Sequence, residues 1–300
     1  MITTSGVYDL DMATYRGQPA DAMSMASSDA VILTETTPAH LRAAWADTED
    51  NSKEADLGTL IHALVLEPHR KHGLIAEIDA ADYKTKAAQE ARDAAREAGK
   101  IPVLPKHLKQ AEGAVQAVRN HPVAAALLAE GEAEQSWFAK DRATGLYLKC
   151  RPDFFTRKRI IVDIKSVASA APDFLQRRIY DGRWFQQAPW YCDVVERVDG
   201  KPAAGYCWLV VEQKPPHSVV IRRPPDTVLM HGHRLNQQAI ATMARCVATD
   251  QWPSWSDTIE DLSLPSYAMF RLEEDGVVNE GKDRMAALRW SEETGANVFS

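Results

Sequence analysis

The sequence predicts a mixed α/β protein: a mixed central sheet flanked by helices, with a helical N-terminal part in front of it. Three observations carry this. Apolar residues recur at helical spacing through much of the first 130 residues. Three strand-like runs come next at about 134–140, 146–155 and 159–167. Helical patterns then alternate with two more strand-like runs, 206–212 and 218–222. Helices, antiparallel strands, helices and strands in that order belong to a mixed architecture rather than to an all-helical or all-strand one. The expected division is a helical part over 1–130, a core over 131–267 and a tail over 268–300, all within one structural domain.

Residues 6–25 read as irregular and rich in turns. Ser27 or Ser28 suits the cap of a short helix through Val31 and Leu33. Thr37-Pro38 opens another, with the proline at the first helical position. The polar run 47–54 is a loop. From 55 to 66, Leu57, Leu60, Ile61, Leu64 and Val65 share one helical face, and Pro68 ends the run. Residues 79–99, rich in Ala, Lys, Glu and Arg, predict a long exposed helix. Helices over 106–120 and 122–130 lead into the three strands. A helix opens at Pro172 and a second carries Gln187 and Tyr191. After the last two strands a helix spans 227–248. The stretch beyond Trp252 is irregular, and 276–300 reads either as a loose tail or as a short helix around 283–290.

Bulk composition bounds the function. A hydrophobic fraction of 45% and a charged fraction of 26% suit a globular protein with a substantial core. No apolar run approaches the roughly 18 residues of a membrane span. The N-terminus shows neither a basic leader nor a long apolar stretch, so no secretory signal and a cytoplasmic location are expected. The four cysteines form no CxxC pair, which suits reduced thiols and gives no zinc or iron–sulfur pattern. The net charge of −7 argues against a passive nucleic-acid coat. Yet residues 151–183 hold eight Lys/Arg against four acids, a local balance of +4. A positive site on an acidic body suits an enzyme that grips phosphates where it works, although a solvated charged hairpin has the same composition.

The chemistry concentrates in 146–167. The basic turn Thr156-Arg157-Lys158-Arg159 centres a hairpin near Lys158, which sets Asp153 opposite Asp163. Side chains alternate along a strand, so Asp163 and Lys165 share a face with Ile161 and Val167, while Ile160, Val162 and Ile164 line the other. Two carboxylates facing each other across a ladder repel, and a divalent cation between them removes the conflict. Magnesium takes hard oxygen ligands from one or two carboxylates and substrate phosphate, and Mn2+ is expected to substitute. Lys165 beside the cation is a compact charge for the developing negative charge on phosphate. Pro152 bends the strand where Asp153 is presented. His62 is either a boundary histidine of an apolar helix or a further metal ligand, with Gly58 thinning the helix one turn earlier. Glu134 either orients the attacking water or is a solvated strand-end acid. Gln187 and Tyr191 share a helical face, with Pro189 awkwardly between them. Arg151, Arg177 and Arg178 are candidate phosphate contacts, and Trp184 or Trp190 is placed to stack on an unpaired base or to fill the core.

With these motifs in order, the chain resembles the PD-(D/E)XK (restriction-endonuclease-like) nuclease superfamily, and within its RecB-like branch the RecE-type exonucleases (exonuclease VIII) of phages and prophages. The resemblance rests on Gly6-Val7-Tyr8, Thr37-Pro38-Ala39, Asp56-Leu57-Gly58-Thr59-Leu60-Ile61-His62 and Val65-Leu66-Glu67-Pro68. It continues with Cys150-Arg151-Pro152-Asp153, Asp163-Ile164-Lys165, the QxxxY motif Gln187 to Tyr191, Asp250-Gln251-Trp252-Pro253 and Leu262-Ser263-Leu264-Pro265. It implies that His62, Asp153, Asp163 and the Ile164 carbonyl bind the metal, that Lys165 is the catalytic lysine, and that Gln187 and Tyr191 support the site. It places Glu134 where that family has an acid before its first core strand. The implied activity is Mg2+-dependent 5′→3′ degradation of double-stranded DNA from its ends, leaving 3′ single strands for a single-strand annealing protein in phage-type recombination. A homo-oligomeric ring around DNA is implied, with no membrane partner. The rival expectations are an endonuclease or single-strand exonuclease on the same core, and an inactive DNA-binding accessory.

Overall fold

A computed structural model describes residues 1–46, 57–66, 73 and 75–274. They fall into a body, Met1–Trp252, and a second unit that begins at Pro253. In chain order the body contains β1 (Gly6–Tyr8), α1 (Met12–Arg16), β2 (Ser24–Met25), α2 (Ser27–Glu35), α3 (Pro38–Ala46) and α4 (Leu57–Leu66). Next come β3 (Ile75–Glu77), α5 (Lys86–Glu97), β4 (Ile101–Val103), α6 (Pro105–Asn120) and α7 (Pro122–Leu127). The strands β5 (Gly131–Ala133), β6 (Ser136–Lys140), β7 (Tyr147–Cys150), β8 (Phe154–Thr156) and β9 (Ile160–Val167) are next. The body closes with α8 (Pro172–Asp181), α9 (Trp184–Asp199), β10 (Gly205–Glu212), β11 (Val219–Arg222) and α10 (Asp226–Thr249). The second unit has one described helix, α11 (Ser266–Glu274), after an irregular stretch. No helix among the described residues is long and apolar enough to cross a membrane.

The central sheet has the order β11-β10-β9-β8-β5. β9 and β10 run parallel and the other pairs are antiparallel, so the sheet is mixed as expected. β9 is apolar on both faces because both are covered. Ile161 and Val167 join one core with Trp184, Trp190 and Tyr191 of α9 and Ile240 and Met243 of α10. Val162 and Ile164 join a second core with Leu60, Ile61 and Leu64 of α4 and Leu108 and Val115 of α6. Helix, sheet and helix thus form three layers, and the strand alternation read from the sequence assigns each β9 side chain to its observed layer. Fully burying each such side chain contributes about 1.5–3 kcal/mol, so this strand anchors both cores.

Four elements differ from expectation, the first being α11 (Ser266–Glu274), which falls in the stretch beyond Trp252 expected to be irregular. The run 146–155 is two strands. It breaks at Arg151-Pro152-Asp153, with β7 in a four-stranded sheet of order β1-β6-β7-β2 and β8 in the central sheet. Proline cannot donate to a ladder, and the chain uses that gap to change sheets. Residues 6–25, expected to be irregular, supply β1, α1 and β2; strands of two or three residues are too short to show a period, and pairing with β6 and β7 defines them. The long helix expected over 79–99 is confined to Lys86–Glu97, because Thr85 caps it by accepting the Ala88 N–H (3.2 Å) and residues 75–77 pair with 101–103 in a small parallel sheet. The loop expected at 47–54 and the helix expected around 283–290 lie outside the described residues. The body ends at Trp252, earlier than the expected core boundary at 267.

Pro189 sits inside α9 and leaves the Phe185 carbonyl without its helical donor. Helix α10 closes over that point through Gly232. A methyl group there would lie 2.0 Å from the Phe185 oxygen and 2.8 Å from the Pro189 ring. Gly232→Ala is therefore expected to destabilise the protein by about 1–3 kcal/mol, the usual range for overpacking a tight contact. Denaturant unfolding measures it, and an unchanged midpoint would contradict this packing.

Candidate metal and phosphate site

The strand switch builds the site. β8 pairs with β9 as Phe154↔Val162 and Phe155↔Ile161, so the next step of the register sets Asp153 against Asp163. Asp153 comes just before β8 begins, and its side chain replaces the missing ladder partner: the Ile164 N–H donates to Asp153 Oδ2 at 2.6 Å. In a strand the N–H and C=O of one residue face the same edge, so the Ile164 carbonyl also faces this gap.

From the other side, α4 packs on β9 and delivers His62. Its Nε2 lies 3.0 Å from Asp153 Oδ1 and its Nδ1 3.5 Å from Glu134 Oε1. Glu134 stands between β5 and β6 with φ of +55°, an uncommon conformation for a residue other than glycine. Its other oxygen accepts from Arg151 Nε at 2.6 Å. Arg151 Nη1 donates in turn to the Leu10 carbonyl (2.7 Å) and Ser136 Oγ (2.9 Å).

Beside this group lies a second one. Lys165 Nζ is 3.0 Å from Asp163 Oδ1, 2.8 Å from Asp163 Oδ2 and 3.0 Å from Gln187 Oε1. Gln187 Nε2 donates to the Tyr191 hydroxyl at 3.1 Å. Asp163 Oδ2 also accepts from the Tyr206 hydroxyl at 2.9 Å. The Lys165 ammonium sits 5.3 Å from the ring centroid of Trp184, a cation–π distance. Pro189 does not disturb the Gln187–Tyr191 spacing, because α9 starts at Trp184 and carries both residues in its first turns.

The charges are interdependent. Burial alone pushes His62 down, but the Asp153 carboxylate, joined by Glu134 and Asp163, carries it up to about 9. The imidazolium thus stands as the positive centre among the acids. Burial works against the Asp153 anion, but His62 and Lys165 hold its carboxyl below the usual range. Burial raises Asp163 to about 6, against the pull of Lys165 and with the push of the Asp153 charge. Burial also raises Glu134, opposed by Arg151 and His62.

One imidazole nitrogen and two carboxylate oxygens, from His62, Glu134 and Asp153, lie within 4.8 Å of one another. Hard oxygens with one nitrogen suit a small divalent cation, and an imidazolium already occupies the centre of negative charge, so this donor set fits a metal such as Mg2+ or Mn2+. The grouping differs in one member from the set implied by resemblance. Glu134 stands with His62 and Asp153, while both oxygens of Asp163 are turned to Lys165 and Tyr206.

The expected nucleic-acid contacts are distributed differently. Arg177 and Arg178 are exposed on α8. Arg151 is directed into Glu134, Ser136 and Leu10, and Trp184 is 7% exposed, beneath Lys165 and beside Trp208. Trp190 is buried, with its indole N–H on the Lys149 carbonyl at 2.9 Å. The residue that sequence reasoning missed is Tyr206. The signal was available: alternation puts it on the face of Trp208, whose partner across the parallel ladder is Asp163, and a buried tyrosine hydroxyl needs an acceptor.

A family described as PDDEXK-like domain of unknown function (DUF3799) matches residues 29–265. The chain belongs to that family. The match takes in every residue of this PDDEXK-like site, from His62 to Tyr206. Among solved structures, a protein from Eubacterium rectale named "Putative exonuclease" aligns with a TM-score of 0.56 and 14% identity, over 87% of this chain and 98% of that one. At that identity the likeness speaks for the fold. A second, SSO0001, aligns over 61% of this chain and 84% of that one, at 15% identity and a TM-score of 0.27. A comparison with curated protein sequences finds no match.

Proposed function

We propose that the protein is a Mg2+-dependent DNA nuclease of RecE type, a 5′→3′ double-strand exonuclease whose product is a 3′ single-stranded tail. The observation that carries the reading is the juxtaposition of two groups: a nitrogen-and-carboxylate triad spaced for a cation, and a lysine held immediately beside it. The ordered motifs from Gly6 to Pro265 support the RecE-type assignment, and with it duplex DNA ends as substrate, a homo-oligomeric ring and a single-strand annealing partner.

When bound, Mg2+ would polarise the scissile phosphate and the attacking water. His62, Glu134 and Asp153 would hold it, with the Ile164 carbonyl on the same edge. Asp153 is aimed by the Ile164 N–H and Glu134 by Arg151, so both acids are fixed before substrate arrives. Lys165 is aimed by Asp163 and Gln187 and presents its ammonium to the phosphoryl oxygens, where negative charge develops. Tyr206 and Tyr191 hold Asp163 and Gln187 in turn. Lys165 stands on β9 and its acceptor Gln187 on α9, while Glu134, Arg151 and Asp153 stand in the turns beside them and are held by hydrogen bonds, an arrangement that suits preorganised electrostatic stabilisation.

Linear duplex labelled at either the 5′ or the 3′ end, with circular duplex beside it, tests the reading. Digestion is expected only of the linear form, only with Mg2+ or Mn2+, and with early release of the 5′ label. Cutting of the circle makes the protein an endonuclease on the same core; binding without turnover in either metal makes it an inactive accessory.

A further inference from the structure

A cavity of about 820 Å³ lies between α8 and α10, at the first turn of α9, and no residue placed in the chemistry lines it. Its floor is apolar: Ile179, Phe185, Val228 and Leu235. Its rim carries Arg183, His231 and Arg234. None of its lining residues is acidic, although the chain as a whole has a net charge of −7. Tyr180 stands at the edge with 63% of its surface exposed. Its ring is stacked on Phe185, with centroids 6.1 Å apart and planes 6° from parallel. The Arg183 guanidinium lies 5.3 Å from the Tyr180 ring and 5.6 Å from the Phe185 ring, and is fixed by pairing with Glu35.

We propose that this groove binds single-stranded DNA, the strand that escapes digestion; the identity of that strand rests on the nuclease reading above. Three features select this occupant. An exposed aromatic face, backed by a second ring and a guanidinium, is a platform on which any base stacks. No lining residue is acidic, and Arg234, with Arg183 held by Glu35, offers positive charge to a phosphate backbone. Gln176 and Gln238 in the lining offer both donors and acceptors, which suit base edges of any sequence. A protein helix laid in the same groove would use the apolar floor but would leave the acid-free lining and the outward ring unexplained. The groove also lies beside the site. Phe185 shares the first turn of α9 with Trp184, which underlies Lys165, and Gln187, which receives its ammonium. Arg177 and Arg178 are exposed on α8, the helix that supplies Gln176, Ile179 and Tyr180 to the groove.

The test measures fluorescence anisotropy of a labelled oligothymidine with the full chain in chelator, where no hydrolysis takes place. Wild-type protein is expected to bind, with affinity falling as salt rises. Tyr180→Ala and Arg234→Glu are expected to weaken binding about tenfold or more, and Tyr180→Phe, which keeps the stacking face, to restore it. Lys84→Glu, at an exposed loop residue that does not line the groove, is the control and should bind like wild type. Circular dichroism guards against unfolding, and if Tyr180→Ala fails to fold, Arg234→Glu with Tyr180→Phe decides. Absence of oligothymidine binding in wild type, or groove variants that bind as tightly, overturns the proposal. So does an outcome in which the same substitutions spare oligothymidine and instead break up self-association, since the groove then holds a second copy. Mg2+-dependent digestion by wild type is scored separately: digestion without groove-dependent binding sinks the groove alone, and binding without digestion sinks the nuclease reading alone.

Discussion

Lys165→Ala is expected to lower the rate of duplex digestion by about 10²–10³-fold, the range seen when one preorganised stabilising donor is removed, while the protein stays folded. The geometry separates the two effects. Lys165 contributes its ammonium to Asp163 and Gln187, and that ammonium lies over the Trp184 ring. Removing one partner of a buried pair normally destabilises strongly, because a charge is left uncompensated. Asp163 has a way out. Burial already holds it up at about 6 with the lysine present, so without the lysine it takes up a proton at neutral pH and keeps the Tyr206 hydrogen bond. Lys165→Met, which retains the stem, should be as inactive as the alanine variant and closer to wild type in melting temperature. Lys165→Arg should not rescue, since a planar fork cannot occupy the place of a compact ammonium between Asp163 and Gln187. Initial rates on end-labelled duplex, together with thermal melts, provide the check. Activity within tenfold of wild type would remove the lysine from the chemistry.

The hairpin was legible because its information is local. Alternation in Ile160–Val167 assigns Ile161 and Val167 to one layer and Val162 and Ile164 to the other, and the turn at Lys158 sets the register. His62 was legible only as a choice between a boundary residue and a ligand, since a helical face shows which side is apolar but not what it packs on. The role of Arg151 was out of reach for another reason. A basic residue beside a strand reads as a phosphate contact. Its engagement with Glu134 depends on β7 and β8 belonging to different sheets, and on Glu134 turning with positive φ between β5 and β6. Neither is visible in the residues next to Arg151. The same limit hid β1 and β2, whose pairing partners are more than a hundred residues away.

Asp153→Asn is expected to remove metal binding as well as digestion. In the wild-type protein a bound cation stabilises the folded state by RT ln(1 + [metal]/Kd), about 2.7 kcal/mol at a hundredfold excess over Kd, so Mg2+ or Mn2+ should raise the melting temperature. The asparagine keeps an oxygen that can accept the Ile164 N–H but loses the charge facing His62, so the fold should persist while the metal-induced rise disappears. The wild-type response should also depend on pH, with a definite sign. His62 carries a proton up to about 9, and a metal must displace it, so apparent affinity climbs about tenfold per pH unit from 7 towards 9 and falls on acidification. Below about 6 Asp163 is protonated as well, which removes a further negative charge beside the site. In Asp153→Asn the imidazole has lost its nearest carboxylate and gives up its proton at lower pH, yet the missing anionic ligand outweighs that easier release. Calorimetric titration of Mg2+ at pH 7, 8 and 9 reads the slope directly. A flat response, or an asparagine variant that binds as tightly as wild type, would mean that the cation sits elsewhere and that the imidazole between Asp153 and Glu134 is only a structural bridge.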